Sequence, residues 1–290
     1  MERILMYHNI QIFRLEEIMI YAVLVLVALY VFIVFPGRPK AGQKDAFKGL
    51  QAAHRGLYSK DQSVPENSLP AFRLAVENGY GAELDLQLTK DGQVIVFHDD
   101  LLMRMTGCEL TPQDYTYTEL LEMRLMGTEE KIPLFSEVVE IFKNGTPLIV
   151  ELKTCENYKE LCEASLPLIR QLECPYCVES FDPRIVAWFR KNAPDIMRGQ
   201  LSQPYRNYRE EKASPLIALA FSAMWGNVRA RPQFIAYTSG RRTLAWFIGK
   251  ITGTFMVYWT ERPGDDHELL KKRYDCLIFE HFSPDSRYMK

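Results

Sequence analysis

Charge of one sign is missing from this sequence. Among 290 residues, 35 lysines and arginines stand against 37 aspartates and glutamates, a formal net charge of −2. That balance removes the electrostatic reason to invoke nucleic acid. Cysteine is scarce as well: six in a chain this long do not make a disulfide scaffold. Cys174-Pro175-Tyr176-Cys177 has the spacing of a redox dithiol, but it lies mid-chain and runs into the strand-like Val178–Phe181 instead of opening a helix. With no second pair to complete a zinc site, the cysteines read as reduced structural thiols. A glycine-rich dinucleotide loop after a first strand is also absent. What remains is a chain with 47% hydrophobic residues, enough for one large domain or two modest ones.

One long apolar run is present. Ile18–Phe35, IMIYAVLVLVALYVFIVF, carries no charge over 18 residues and ends at Pro36-Gly37. It is long enough to span a bilayer with little tilt. A cleaved signal peptide would show a shorter apolar core and a small-residue cleavage site, and a buried helix rarely continues this far without a polar face. The run therefore reads as a single-pass membrane anchor, residues 18–35, between an N-terminal segment 1–17 and a juxtamembrane linker 36–49. Arg38, Lys40, Lys44 and Lys48 follow it, against Arg3 and Arg14 before it. The bias of basic residues places the large C-terminal part on the cytoplasmic side.

From Leu50 onward strand-like and helix-like segments alternate, the pattern of an α/β protein. The organising stretch is Ala82–Asp99, AELDLQLTKDGQVIVFHD. Side chains alternate along a strand, so Glu83, Asp85 and Gln87 share one face and Leu84, Leu86 and Leu88 the other. Asp91-Gly92 supplies a tight turn, and the apolar Val94–Phe97 returns to end in His98-Asp99. Short strands are expected at Gln51–Ala53, Leu148–Lys153, Cys177–Phe181, Met197–Leu201, Phe234–Tyr237, Phe255–Trp259 and Leu277–Phe279. Helices are expected after Asn67 or Ser68, over Pro133–Lys143 with Asn144-Gly145 as its stop, over Pro183–Asn192 and over His267–Arg273. Leu101–Lys131 reads as loop with short helical pieces. The two strands joined by Thr89–Gly92 are too close in sequence to be parallel neighbours, so Val94–Phe97 runs back antiparallel as a flap. Eight strands then remain, the number of a closed (β/α)₈ TIM barrel occupying residues 50–290, with an insertion at about 101–131. An open doubly wound sheet is the competing architecture.

Three polar clusters fall at the ends of successive strands: His54-Arg55, Glu83 with Asp85, and Glu151 with Lys153. In a barrel such ends converge on one mouth. Glu83, Asp85 and Glu151 offer three hard oxygen donors for one divalent ion, Mg²⁺ or Ca²⁺; without a cation they would repel one another or take up protons. Arg55 and Lys153 supply positive charge suited to a phosphate, and His54 and His98 exchange protons near neutral pH. Each piece alone is ordinary: an exposed His-Arg, an acidic sheet face, a Glu-Leu-Lys. Together they form a kit for cleaving a phosphodiester.

At these residues the sequence resembles the glycerophosphodiester phosphodiesterase family. The likeness runs through His54-Arg55-Gly56, Pro65-Glu66-Asn67-Ser68 with Ala71-Phe72, Glu83-Leu84-Asp85, Thr89-Lys90-Asp91-Gly92, His98-Asp99 and Glu151-Leu152-Lys153, with weaker echoes at Ser180-Phe181 and Trp259-Thr260. It implies a barrel with a small insertion after the catalytic hairpin, one divalent metal on Glu83, Asp85 and Glu151, and His54 and His98 as the acid–base pair. It further implies phosphate binding by Arg55 and Lys153, with Glu66 orienting His54-Arg55 and Trp259 in support. The implied reaction gives glycerol 3-phosphate and an alcohol. A lysophospholipase D-type cleavage of lysophospholipids on the same scaffold is the second enzyme reading; a non-catalytic lipid- or phosphate-binding barrel is the alternative from another class. Two stretches depart from the family pattern. Glu261-Arg262-Pro263 replaces an apolar residue and asparagine, and Phe279-Glu280 replaces a Thr-Asp ending; the expectation is that both bear on leaving-group specificity. Finally, Pro215–Trp225, PLIALAFSAMW, is apolar nearly all round. It reads either as a helix buried on the barrel or as a lipid-facing lip flanked by Arg229, Arg231, Arg241 and Arg242, which would favour a lipid-derived substrate met at the membrane.

Overall fold

The computed structural model describes residues 2–143, 145–241, 243–285 and 288, the side chains of residues 2–13 and 15 excepted. Asn144 and Arg242, and the side chain of Arg3, lie outside the described residues. Helix α1 (Glu2–Val34) leads through a 3₁₀ turn at Asp45–Phe47 to β1 (Gln51–Ala53), α2 (Leu69–Glu77), β2 (Gly81–Leu88) and β3 (Val94–Val96). The insertion holds α3 (Met103–Thr106) and α4 (Tyr117–Leu120). Then come α5 (Phe135–Ile141), β4 (Leu148–Leu152), α6 (Tyr158–Ile169), β5 (Tyr176–Ser180), α7 (Pro183–Asn192) and β6 (Arg198–Ser202). A longer connection carries α8 (Tyr205–Glu210), α9 (Pro215–Ser222) and α10 (Asn227–Ala230). The chain finishes with β7 (Phe234–Tyr237), α11 (Leu244–Thr252), β8 (Phe255–Glu261), α12 (His267–Arg273) and β9 (Cys276–Phe279).

The strands order β1-β9-β8-β7-β6-β5-β4-β2, and β1 pairs with β2 to close the ring, every contact in it parallel. This is the closed eight-stranded barrel expected from the strand count. β3 stays outside it, antiparallel on the far half of β2, with Leu86, Gln87 and Leu88 opposite Val96, Ile95 and Val94. The alternation along β2 explains its double role. Leu84, Leu86 and Leu88 point out and pack with Phe72, Phe135, Val150 and Leu152 under the helices, while the acids on the other face look inward. Below them Ile149, Cys177, Leu201, Phe234, Val257 and Ile278 fill the barrel, and Phe47 and Leu50 plug its lower end. Gly199 in β6 lies where a Cβ would overlap the Phe234 ring, a close approach that only glycine accommodates.

Helix ends follow local chemistry. The Ser68 hydroxyl accepts the Ala71 N–H with Pro70 in the first turn, and the Asp182 carboxylate accepts the Arg184 N–H to open α7. The helix expected over Pro133–Lys143 is shorter, Phe135–Ile141. Its first two residues are drawn into extended pairing instead: Val96 N–H donates to the Pro133 carbonyl at 2.9 Å, and Leu134 bridges Ile95. In α1 the 19 residues Glu16–Val34, mean hydropathy 2.7, are long and apolar enough to cross a membrane. The alternatives for Pro215–Trp225 resolve toward exposure: in α9, Leu216 is 69% and Leu219 50% exposed, with Ala218 the residue that packs inward.

Candidate active site

Strands β1, β2 and β4 bring the polar clusters together at the barrel mouth. One carboxylate oxygen from each of Glu83, Asp85 and Glu151 lies within 4.8 Å of the others, and all three residues are buried. Cations stand beside them. Lys153 Nζ is 3.0 Å from Glu151 and 3.4 Å from Asp85, and Arg55 Nε is 3.6 Å from Asp85. The Asn67 amide donates to Asp85 at 2.9 Å and the Arg55 backbone N–H to Glu83 at 3.1 Å. To direct that N–H, Arg55 takes a left-handed backbone, φ 54°, an uncommon conformation outside glycine and typical of functional turns.

The charges in this cluster do not balance. Burial pushes Glu83 well above the ordinary carboxylate range, and Asp85 and Glu151 push it further. Burial raises Glu151 too, although Lys153 opposes it. Asp85 escapes: burial raises it, but Lys153, His98 and Arg55 together hold it well below the ordinary value. Three hard oxygen donors, two of them driven to hold protons for want of positive charge, fit a divalent cation.

The two histidines are built alike. His54 Nδ1 lies 2.7 Å from Glu280 Oε2, and Arg262 Nε donates to the other Glu280 oxygen at 2.6 Å. His98 Nδ1 lies 2.7 Å from Asp99, which Arg104 grips with Nε and Nη2 at 2.6 and 3.0 Å. Each ring thus has a carboxylate behind Nδ1 and a guanidinium behind the carboxylate, which fixes the Nδ1–H tautomer and leaves Nε2 for other work. His54 Nε2 is 3.9 Å from Glu83. Burial, then the charge of Arg55, brings His54 down to about 4 against the pull of Glu280, so the ring is neutral at pH 7. His98 faces a cavity of about 920 Å³ whose walls include Arg55, Glu151, Lys153, Phe181 and Trp259. The Phe181 and Trp259 rings meet edge to face there, 5.4 Å between centroids.

A family model described as the glycerophosphoryl diester phosphodiesterase family matches residues 54–246. The chain belongs to that family. Among curated relatives, a glycerophosphodiester phosphodiesterase of Caldanaerobacter subterraneus is 33% identical over 169 residues, 54% of this chain and 68% of the relative. Human lysophospholipase D is 33% identical over 145 residues, 46% of this chain and 45% of that protein. Among solved structures, a glycerophosphodiester phosphodiesterase from Thermotoga maritima is 26% identical with TM-score 0.59, covering 79% of this chain and 93% of that one. An Oleispira antarctica phosphodiesterase, solved with its product sn-glycerol-3-phosphate, is 24% identical with TM-score 0.64, covering 81% and 93%. The barrel is theirs. Membership makes this chain a phosphodiesterase acting on glycerophosphodiesters, not a non-catalytic binding barrel.

Within that family barrel, the sequence-derived residues occupy one region, with two amendments. Arg55 and Lys153 face the cavity but are shared with carboxylates, and Glu66 holds Arg55 of the His54-Arg55 pair together with Arg104. It accepts from Arg55 at 2.6 Å and from both ends of the Arg104 guanidinium at 2.7 and 2.9 Å. The departures at Glu261-Arg262 and Glu280 were expected to bear on the leaving group. In the structure Glu280 and Arg262 stand behind His54, while Glu261 turns away to His267 on α12 at 2.7 Å. Four residues were missed. Arg104 comes from the insertion, and Gln87 donates to the Phe97 and Asp99 carbonyls, at 3.0 and 2.9 Å, to fix the His98 loop. Gln87 was legible from its place on the Glu83–Asp85 face; Arg104 had no local signal. Glu179 in β5, in register with Glu151, is buried with Oε2 unpartnered among the described residues. Burial, Glu151 and Asp85 raise it well above the usual range. The fourth, Glu280, was visible only as an oddity.

Proposed function

We propose that this chain is a membrane-anchored, divalent-cation-dependent phosphodiesterase that releases glycerol 3-phosphate and an alcohol from a glycerophosphodiester. The observation that carries the reading is the cluster of Glu83, Asp85 and Glu151 oxygens within 4.8 Å, flanked by two carboxylate-backed histidines. Those three residues would hold one ion, Mg²⁺ or Ca²⁺. Bound there, it supplies charge to neutralise the phosphoryl oxygens and fix their orientation. Arg55 and Lys153 line the cavity and would bind the phosphate group. His54, neutral with Nε2 unprotonated, takes the proton of the attacking hydroxyl as its oxygen bonds to phosphorus. That hydroxyl is the glycerol's own neighbour on a cyclic route that water then completes. His98, at the cavity wall, delivers a proton to the departing alkoxide. Glu66 keeps Arg55 in place, and Trp259 with Phe181 forms an apolar wall for the leaving group.

In this reading residues 18–35 anchor the chain, 36–49 link it, and 50–290 form the catalytic barrel, with the insertion at 101–131. The basic residues Arg38, Lys40, Lys44 and Lys48 put the barrel on the cytoplasmic side. Lysophospholipase D-type cleavage is favoured as a second activity by one feature: Ile217 and Phe221 of the exposed α9 reach into the catalytic cavity. An acyl chain could leave the bilayer along that lip.

A product assay tests the reaction. Purified full-length protein in EDTA should release no glycerol 3-phosphate from glycerophosphocholine, and Mg²⁺, Ca²⁺ or Mn²⁺ should restore release; an undiminished rate in EDTA refutes the cation. The lip has its own test. Leu216→Asp with Leu219→Asp, both exposed, should cut cleavage of lysophospholipid in vesicles about tenfold or more, the loss of at least about 1.4 kcal/mol of apolar contact. Cleavage of soluble glycerophosphocholine should hold. Equal losses on both substrates would remove the lip from the mechanism.

A further inference from the structure

We propose that α1 is a structural part of the barrel and that α1, α10 and α11 form one flank seated in the headgroup region of an anionic bilayer, so that the enzyme is held in a fixed pose and not on a leash. The inference rests on the membrane-anchor reading and goes further than it.

The last turns of α1 complete the helical layer. Tyr30, Ile33 and Val34 pack with Met224, Ile235 and Tyr237, and with Ala245 and Ile248 of α11, over β7 and between α10 and α11. A polar latch accompanies the packing. Tyr30 OH donates to the Ala223 carbonyl at 2.6 Å and the Asn227 amide to the Val34 carbonyl at 3.0 Å. Arg231 reaches the Phe32 and Phe35 carbonyls at 2.9 and 2.6 Å, and Gly37 N–H donates to the Pro232 carbonyl at 2.8 Å. The carbonyls that a helix leaves open at its C-terminus are thus answered by the barrel. A Cβ on Gly37 would meet the Arg231 carbonyl oxygen at 2.6 Å, so the two backbones touch. A flexible linker has no use for such contacts.

On either side of α1 the surface stays apolar. In α11, Ala245, Ile248 and Gly249 face the barrel, while Leu244, Phe247 and Ile251 form a stripe three and four residues apart on the other face, 51%, 48% and 72% exposed. A helix apolar on both faces belongs between a protein and another apolar phase. On the α10 side, Trp225 and Val228, each 47% exposed, join Leu26, Leu29, Tyr30 and Ile33 of α1 around a slot of about 370 Å³. That slot is continuous with the bare apolar surface of α1, which argues for lipid as the occupant. Charge agrees. From Lys212 to Thr260 the sequence has six basic residues and no acid, in a chain that is otherwise balanced. Arg229, Arg231, Arg241 and Lys250 thus border an apolar face with nothing negative among them, the composition that anionic headgroups attract.

The test places a fluorophore on single cysteines in full-length protein, with Cys108→Ser and Cys155→Ser removing the partly exposed thiols. The protein is reconstituted in phosphatidylcholine–phosphatidylglycerol vesicles with brominated acyl chains. Labels at F247C, I251C and V228C should lose emission to the same extent as one at V25C in α1. A label at E77C on α2, beside β2 and across the ring from β7, should keep its emission. If V25C is quenched while F247C and I251C match E77C, the flank is refuted and the anchor stands; this is also the result if a second copy of the chain covers α11. If V25C is not quenched either, both readings fall. Each labelled variant should retain parental turnover of glycerophosphocholine, since none of these residues faces the cavity.

Discussion

Glu83→Ala lowers turnover of glycerophosphocholine by about a thousandfold or more, because several kcal/mol of charge stabilisation departs with the cation, and yet the cation-free variant is at least as stable as the parent at pH 8. The second half of that result separates a ligand from a fold residue. Glu83, Glu151 and Glu179 all have native values raised first by burial; Asp85 adds to the rise at all three and Glu151 to that at Glu83 and Glu179, while Lys153 opposes it at Glu151. Glutamates of the unfolded chain titrate near about 4.3. A raised native value gives stability that is full below that point and is lost as pH rises through the native values. At pH 8 the cation-free parent therefore carries more of this cost than at acid pH, and removing Glu83 relieves part of it. A cation competes with those protons, so Mg²⁺ or Ca²⁺ should raise the melting temperature of the parent more at pH 8 than at pH 5.5. The gain is about 2.7 kcal/mol when the ion is present at a hundred times its dissociation constant. In Glu83→Ala the shift should be lost. Scanning fluorimetry across pH, with and without the ion, reads all of this. A parent with no cation-dependent shift at pH 8, or a Glu83→Ala protein that keeps both shift and turnover, sinks the assignment.

What the sequence makes legible is set by the range of the interactions. The alternation Glu83–Leu84–Asp85–Leu86 is local, and it fixes both which face is apolar and which is chemical. Asp91-Gly92 is local too, so β3 could be folded back on β2 and removed from the count, leaving a ring of eight. Helix starts were readable where local residues set them, as after Asn67-Ser68 and at Pro183. They were misread at Pro133, where a bridge to β3 competes with the first helical turn. The missed site residues share a cause. Glu280 is 226 positions from the His54 it backs, and Arg104 is 38 positions from Glu66. No periodicity reports such a pairing, because it exists only after the barrel closes. Glu179 is intermediate: its strand was legible, but its register with Glu151 was not. The latch between the end of α1 and the α10 region is equally non-local, so the sequence did not reveal that the last turns of the apolar run pack on the barrel.

That hidden partner of His54 leads to the other large effect. His54→Ala should lower turnover by about a hundred- to ten-thousandfold, the range for a positioned acid–base group. Glu280→Gln should lower it about ten- to a hundredfold, the scale of losing a hydrogen-bond partner that orients a site imidazole. The pH profile distinguishes orientation from simple damage. Glu280 raises the His54 value against burial and Arg55, which bring it to about 4. Without the carboxylate, His54 falls further, so the acidic limb of the rate profile should move to lower pH while the plateau drops. A general loss of structure would lower the plateau and leave the limb where it was. Arg262→Ala should lower the plateau more weakly and without moving the limb to lower pH, since Arg262 is 64% exposed at its side chain and Glu280 keeps both its charge and the Tyr58 hydroxyl at 3.1 Å. Glu261→Gln is the matched control: it lies next in sequence to Arg262, but its partner is His267, and turnover should stay near parental. If Glu280→Gln works at the parental rate with an unmoved acidic limb, His54 owes nothing to Glu280, and the likeness between the His54–Glu280–Arg262 and His98–Asp99–Arg104 chains is geometry without consequence.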